Sequence, residues 1–537
     1  MAQEKNNTSH ISLNRLISET LSKNASHAAM TDMNTGFMLT YSELAGKMAV
    51  IRGKLRDIGV KKGDRVVICG RNRSCWAASF LAAITSGAVA VPVLSDFNPE
   101  TIAHLIAHCG ASAVFIDDSI FKKIDTAKVP TETVFVSLDT VFSLESEPDN
   151  GIFEDGKDDL AVINYTSGSM GSSKGVMLSY GNLSSNAYYS ISNIPYLFPD
   201  DGTLNLLPLA HMFGLLVELI FPFLKGCHIH FLGKTPAPSV LLKALAEVKP
   251  KLMIVVPLIL EKIIIGKVFP VVNKPFMKFL CGIPGINRII YGKIRRQLLD
   301  VFGGSLQQLI SGGAAMNKDV EAFLRKIKFP LTIGYGMTEC APLICYAPWY
   351  ENKSGSCGRA VDNMELRIDS SDPQNIPGEL WVKGANVMMG YYHNEEATAA
   401  VMRDGWMNTG DVCVMDSDGF LYIRGRSKCM ILGPSGQNIY PEEIESKLSA
   451  LPFVAENLVV QRDSRLIALV YPDVEKMKSQ GVTPAQLSEI MNENLKTLNS
   501  SIAKYEQISA IELRDEEFEK TPKRSIKRYL YSLETGS

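Results

Sequence analysis

The chain has 537 residues, 46% of them apolar, and 55 lysines and arginines stand against 57 aspartates and glutamates. That length exceeds one ordinary core and implies about two to four domains. The net charge of −2 offers no electrostatic footprint for nucleic acid. The ten cysteines include no C-x-x-C pair. The spacings Cys69/Cys75 and Cys340/Cys345 match no metal knuckle, so they read as reduced, mostly buried thiols of a cytoplasmic protein.

In chain order, "MAQEKNNTSH" lacks the apolar core of a signal peptide. The longest uncharged run, residues 74–95, is split by Gly87 and Pro92, which predicts a helix over 75–86 and then a buried strand "AVAVPV" rather than a membrane span. "DRVVICG", "SAVFID", "ETVFVSL" and "DDLAVINYTSG" are strand-like, and "NPETIAHLIAHCG" is helical. The alternation predicts an α/β fold with parallel or mixed sheets and crossover helices. His104 and His108 lie four apart on that helix without the glutamate of H-E-x-x-H, and His228 and His230 have strand spacing without a third ligand, so neither pair points to a metal. From about residue 355, around "ELWVKGANVMMGYY" and "GFLYIRGRSKCMIL", short strands and turns form a β-rich subdomain. A boundary falls at 426–428, dividing residues 1–426 from a small mobile α+β lobe, 427–537, that opens with the helix "YPEEIESKLSAL".

Chemistry concentrates in four places. "NYTSGSMGSSKGVMLS" (164–179) surrounds Lys174 with glycines and hydroxyls, including Thr166, Ser167, Gly168, Ser169 and Gly171, which suits phosphate oxygens. It is not the common G-x-x-x-x-G-K-[ST] loop, because Gly175 follows Lys174. "IGYGMTECAP" (333–342) carries Tyr335, Gly336, Thr338 and Glu339; a glycine-flanked ring can lie on a base, and a carboxylate beside phosphates can hold Mg²⁺. "WMNTGDV" (406–412) presents Asp411 after a turn, placed to accept from paired sugar hydroxyls, and "GRSKCMILGPSGQNIYPEEIE" (425–445) supplies Arg426 and Lys428. Taken singly, these are ordinary loop residues: Ser/Gly runs are commonly hydrophilic hairpins, and Gly-Asp is commonly an Asx turn.

In this order the motifs resemble the adenylate-forming superfamily of acyl-CoA synthetases, firefly luciferase and nonribosomal peptide adenylation domains, over essentially the whole chain. That family's [YF]-T-S-G-T-T-G-x-P-K-G loop matches 165–175, with Ser169, Met170 and Ser173 departing from it. "NLLPLAHMFGLL" resembles P-L-x-H-x-x-G and places His211 near the acyl or adenylate pocket. "SGGAAM" resembles the loop beside adenine, bringing in Gly312, Gly313 and Ala314. The resemblance implies ATP, Mg²⁺ and a carboxylic acid as partners, an acyl-adenylate intermediate, and a thiol that displaces AMP. It gives Lys174 and the hydroxyl loop to the β/γ-phosphates, Thr338 to the α-phosphate, Glu339 to Mg²⁺, Asp411 and Arg426 to the ribose, and Tyr335 to the adenine. Lys428 becomes the hinge, and Gly436 lines the thiol passage.

One departure stands out. The family tail is P-K-T-x-x-G-K-[IV]-x-R, whereas "FEKTPKRSIKRYLY" puts Ser525 at the second lysine. In an extended segment Lys523 and Lys527 flank that position on one side, with Cα atoms roughly 7 Å away. Either lysine could take over the adenylation role, Lys527 preferred. The rival reading is a nucleotide- and acyl-binding protein impaired in adenylation, whose basic tail is a surface strand.

No L-G-G-x-S carrier motif follows the small lobe. "VPLILEKIIIGKV" (256–268) resembles V-P-R-x-x-E-K-I of the long-chain branch, which implies a long-chain fatty acid, though such a run also suits a core. The acceptor thiol is coenzyme A, with an acyl carrier protein as the alternative. "GINRIIYGKIRRQLL" (285–299) has the composition of an amphipathic helix able to rest on the inner face of a membrane.

Overall fold

The computed structural model describes residues 11–166, 173–233, 238–313, 316–362, 364–432, 438–462, 465–520 and 526–531. Its backbone is α/β, as the alternation predicts. A sheet of seven strands runs, edge to edge, Gly390–Tyr391, Lys174–Ser179, Leu160–Thr166, Val89–Val93, Arg65–Cys69, Ala111–Ile116 and Val134–Ser137. The last five of these pair in parallel. The run across 74–95 divides as its glycine requires: the helix Ser74–Thr85 is buried on every side, Gly87 turns the chain at φ +83°, and Val89–Val93 enters the sheet centre. Among the described residues no helix is long and apolar enough to cross a membrane.

A four-stranded sheet joins Ala28–Asp32 to Phe37–Thr40, His228–Phe231 and Gly202–Asn205, and a three-stranded parallel sheet unites Leu252–Val255, Gln308–Ser311 and Leu331–Ile333. His228 sits half-buried in its strand and bonds Thr31 Oγ1 at 2.7 Å, while His230 contacts the Thr203 carbonyl at 3.2 Å. Burial, more than its neighbour His230, pulls the His228 imidazole down to about 4. This is the environment of neutral packed rings, and no group of three or more His, Cys, Asp or Glu able to hold a metal occurs among the described residues. All ten cysteines are unbridged, and eight are buried, Cys281 and Cys429 being the two that are partly exposed.

The β-rich region forms an antiparallel sheet in which Trp406–Met415 pairs with Gly378–Gly384 and Leu421–Arg426. Beyond a short turn at Ser427–Cys429, the helix Pro441–Leu448 and the strands Val454–Arg462, Arg465–Pro472 and Ala510–Leu513 close around their own core, which includes Ile444, Leu448, Val470 and Leu487. Arg528 fixes residues 526–531 to this lobe. Its guanidinium holds Glu445 through bonds of 2.6 and 2.7 Å and the Val459 carbonyl at 3.0 Å. Arg528 is therefore a packed side chain, unlike the solvated basic strand that the rival reading gave the tail.

Candidate active site

The phosphate-loop motif is a hairpin connection. Leu160–Thr166 and Lys174–Ser179 are antiparallel, and Thr166 faces Lys174 across the ladder. Residues 167–172, including Ser167, Gly168, Ser169 and Gly171, lie outside the described residues. The hairpin is continued by a short strand that sequence patterning does not mark as part of this sheet: Tyr391 pairs with Val176, and the Tyr392 N–H donates to the Gly175 carbonyl at 2.7 Å. This puts the Lys174 ammonium 4.7 Å from the centre of the Tyr391 ring. The same ring's hydroxyl donates to Glu339 Oε1 at 3.0 Å. Lysine and glutamate, 165 positions apart in sequence (339 − 174), thus meet on the two sides of one tyrosine.

Glu339 is held from its backbone. It lies in a tight turn, Thr338–Cys340, with Thr338 buried. The Met388 N–H donates to the Glu339 carbonyl at 2.8 Å, and the Cys340 carbonyl accepts from the Asn186 and Asn386 amides at 2.7 and 3.1 Å. Asn386 also donates to the Leu343 carbonyl at 2.6 Å. Gly336 is demanded by sterics, since a Cβ there would run into the Pro342 carbonyl. Glu339 forms no ion pair among the described residues. One carboxylate that is not neutralised, next to a fixed cation, is a donor set that fits Mg²⁺ completed by phosphate oxygens.

The second cluster follows from register. Asp411 and Arg426 are direct partners on adjacent strands, and the guanidinium Nε lies 2.7 Å from Asp411 Oδ1. The Tyr335 hydroxyl donates to Oδ2 at 2.5 Å. Asp411 is only 4% exposed, and burial raises its carboxyl above the ordinary value while Arg426 and the Tyr335 bond pull it back. Glu339 pushes it up as a lesser cause, and the Arg426 charge lowers Tyr391, so each cluster lies within electrostatic reach of the other. A carboxylate offers about four lone-pair directions, so Asp411 can still accept two sugar hydroxyls.

A third wall comes from the end of the strand Gln308–Ser311. Gly312 packs so closely that a Cβ would lie 3.2 Å from the Phe213 ring, and Gly313 turns at φ +82°; Ala314 lies outside the described residues. Phe213 belongs to the His211 segment. His211 precedes a short turn and its ring accepts from the Phe213 N–H at 3.2 Å, while Asn164 of the phosphate-loop strand donates to the Ala210 carbonyl at 2.9 Å. Beneath lies a carboxyl that motif reading misses. Glu218, in the widened helical turn Leu215–Ile220, accepts from the Leu206 and Leu207 N–H groups at 3.0 and 2.7 Å and from the Asn205 amide at 2.9 Å. Its other oxygen is buried without a partner, and burial pushes the group up to about 8. Asn72 completes the support, accepting from the Leu209 N–H at 3.0 Å.

Among the described residues of the tail, Lys520 and Lys527 are engaged within the small lobe. Lys527 pairs with Glu519 at 3.1 Å inside the small lobe, and Lys520 pairs with Glu456 and Glu517. Lys523, Ser525 and Gly436 lie outside the described residues. Lys428 is exposed in the turn Ser427–Cys429. Across that turn, among the described residues, Asn317 donates to the Ser446 carbonyl at 3.1 Å, Glu443 lies 3.6 Å from both Lys318 and Arg424, and the buried Tyr440 packs against Gly425.

The model of the AMP-binding enzyme family matches residues 17–392. A feruloyl-CoA synthase of an Amycolatopsis species is 30% identical over 487 residues, covering 89% of this chain and 91% of its own. A long-chain-fatty-acid–CoA ligase of Escherichia coli O6:H1 is 29% identical over 472 residues, covering 79% of this chain and 78% of its own. The crystal structure of an anthranilate CoA ligase in complex with anthranoyl-AMP superposes with a TM-score of 0.78 at 20% identity, covering 97% and 96% of the two chains. The chain belongs to the AMP-binding enzyme family. It is an acid–CoA ligase of that family.

Proposed function

We propose that this ligase activates a long-chain fatty acid, by ATP, to an acyl-adenylate and then to an acyl-CoA, releasing pyrophosphate and AMP. The observation that carries the adenylating part is the arrangement of Lys174, Tyr391 and Glu339 opposite Tyr335, Asp411 and Arg426. One cluster is built for polyphosphate and the other for a nucleoside. Lys174 and the hairpin loop hold the β/γ-phosphates, Thr338 the α-phosphate, and Asp411 with Arg426 the ribose. Tyr335, Gly312 and Gly313 border the adenine. Glu339 is the residue that holds Mg²⁺, which supplies charge neutralisation on the phosphates when bound.

The acid's carboxylate oxygen attacks the α-phosphorus, the bond to the β-phosphate oxygen breaks, and pyrophosphate leaves. The protein performs little covalent work, so its contribution is alignment and fixed charge; alignment alone can supply about 7–11 kcal/mol. Residues 427–537 act as a lobe that turns about Lys428. In its adenylating position, Lys527 or Lys523 serves as the cation that Ser525 cannot provide. In the other position the coenzyme A thiol enters past Gly436, attacks the acyl carbon and expels AMP.

The fatty-acid assignment rests on the apolar segment after Val255. There the helix Pro257–Ile263 and the turn Ile264–Val268 bury Leu260 and Ile264 in the main core, and Glu261 is spent on the Asn317 N–H at 2.7 Å rather than facing a substrate. A wall of aliphatic side chains favours a flexible alkyl chain, each buried methylene contributing about 0.8 kcal/mol. Initial rates of CoA thioester formation across saturated acids of graded length and an aromatic acid test this. The expected kcat/KM rises several-fold per two carbons to a long-chain optimum. An optimum at the aromatic acid overturns the fatty-acid assignment and leaves the ligase class standing.

A further inference from the structure

Between Glu261 and Asp300 the sequence contains eight lysines and arginines and not one aspartate or glutamate. This stretch forms three successive outer helices, Phe269–Val272, Pro275–Gly282 and Ile286–Val301. The last is clamped to the body from its inner side: Leu298 is in the core, the half-buried Tyr291 and Ile294 pack against it, and the Lys326 ammonium sits 5.1 Å from the Tyr291 ring centre. The outer side is apolar where it is most exposed. Phe276 is 69% exposed, Phe279 68% and Ile289 74%, the three largest exposures of bulky apolar side chains among the described residues. Phe276 and Phe279, three apart, share a face of their helix. Lys274 and Lys278 flank them, and Arg288, Lys293 and Arg296 surround Ile289 on the solvent side of its helix; all five are exposed. None of the eight cations forms an ion pair among the described residues.

Two phenylalanines and an isoleucine projecting from a ring of unneutralised cations differ from the surface of a protein-docking patch, whose centre is depleted in lysine. The pairing matches what an anionic lipid surface requires: apolar side chains that enter the acyl boundary and basic ones that meet headgroup phosphates. We infer that the outer face of residues 269–296 docks this enzyme on anionic bilayers, with Phe276, Phe279 and Ile289 inserted and the flanking lysines and arginines on lipid phosphates. The inference is independent of which acid is the substrate. It extends the membrane contact expected of residues 285–299 to the preceding helix, where the aromatic side chains are.

The test is co-sedimentation of the full-length protein, without substrates, with vesicles of equal parts phosphatidylglycerol and phosphatidylcholine, against pure phosphatidylcholine. Binding is expected to the first and not to the second, and to weaken with salt. Lys274→Gln and Lys278→Gln each lower the partition coefficient about five-fold, while Lys122→Gln and Lys123→Gln on another face leave it unchanged. The triple change Phe276→Ser, Phe279→Ser, Ile289→Ser abolishes binding at low salt too. It keeps the wild-type melting temperature and the wild-type rate with a water-soluble acid, because about two thirds or more of each of these side chains is exposed. Equal binding to both vesicles overturns the inference, as does binding indifferent to the Lys274, Lys278 and triple changes. So does a concentration-dependent dimer that the triple change dissolves, which would make the patch a protein interface.

Discussion

Glu218→Gln isolates the buried carboxyl under the His211 segment. Glu218 is 3% exposed, its Oε2 accepts three hydrogen bonds, and burial outweighs those bonds to lift the group from 4.5 to about 8. Because the folded value lies above the unfolded one, the folded chain keeps a proton that the unfolded chain has lost between those two pH values. The stability this group contributes is therefore complete below about pH 4.5 and declines as pH rises toward about 8. Each pH unit inside that window costs about 1.4 kcal/mol, so the decline from pH 5 to pH 8 is about 4 kcal/mol. Glutamine keeps the shape and an acceptor but does not titrate. Urea unfolding of both proteins across this range should give free energies that differ least at the acid end. At the alkaline end the variant should gain by an amount approaching 4 kcal/mol. A difference independent of pH, or one that favours the wild type more as pH rises, refutes the reasoning. It would mean that Glu218 is ionised in the fold and paired in a way the buried, partnerless oxygen contradicts.

Two further changes probe the nucleoside cluster and the tail. Asp411→Asn retains an acceptor for Tyr335 but loses the charge that faces Arg426 and strengthens bonds to sugar hydroxyls. KM for ATP should rise roughly ten-fold, with a small change in melting temperature because the Arg426 side chain is 53% exposed; an unchanged KM removes Asp411 from the ribose. Lys527→Ala should cut acid-dependent ATP–pyrophosphate exchange by about 10²-fold and leave thioester formation from preformed acyl-adenylate unaffected, while Lys523→Ala should spare both. The opposite pattern transfers the role to Lys523.

Much of the site was legible because its parts are local. The helix–glycine–strand break at Gly87, the hairpin that carries Lys174, and the Thr338–Glu339 turn each depend on residues within a few positions of one another. The Asp411–Arg426 pair was legible as two motifs, and its contact needed only the register of adjacent strands. What could not be read is what joins distant segments. Asn386 and Asn186 reach the Cys340 carbonyl from 46 and 154 positions away. Tyr391 earns its place through a two-residue strand that adds to a sheet begun more than 200 residues earlier. Its only trace in the sequence is the repeated aromatic of "NVMMGYY". Glu218 gives no periodic signal, because a glutamate in an apolar helix reads as a surface position until the partners at Asn205, Leu206 and Leu207 close over it. The rival picture of the tail as a solvated basic strand fails at Arg528, which finds Glu445 from 83 positions away.

The central claim is that the acid's own oxygen becomes bonded to the α-phosphorus in the space between Lys174, Glu339 and Asp411. A long-chain fatty acid labelled with ¹⁸O in its carboxylate, turned over with ATP, Mg²⁺ and coenzyme A, tests this most directly by mass spectrometry of the nucleotide. The account predicts one labelled oxygen in the AMP, none in the pyrophosphate, and one acyl-CoA per AMP. Label in inorganic phosphate with ADP as the nucleotide product would contradict it, because the acid would then have attacked the terminal phosphate.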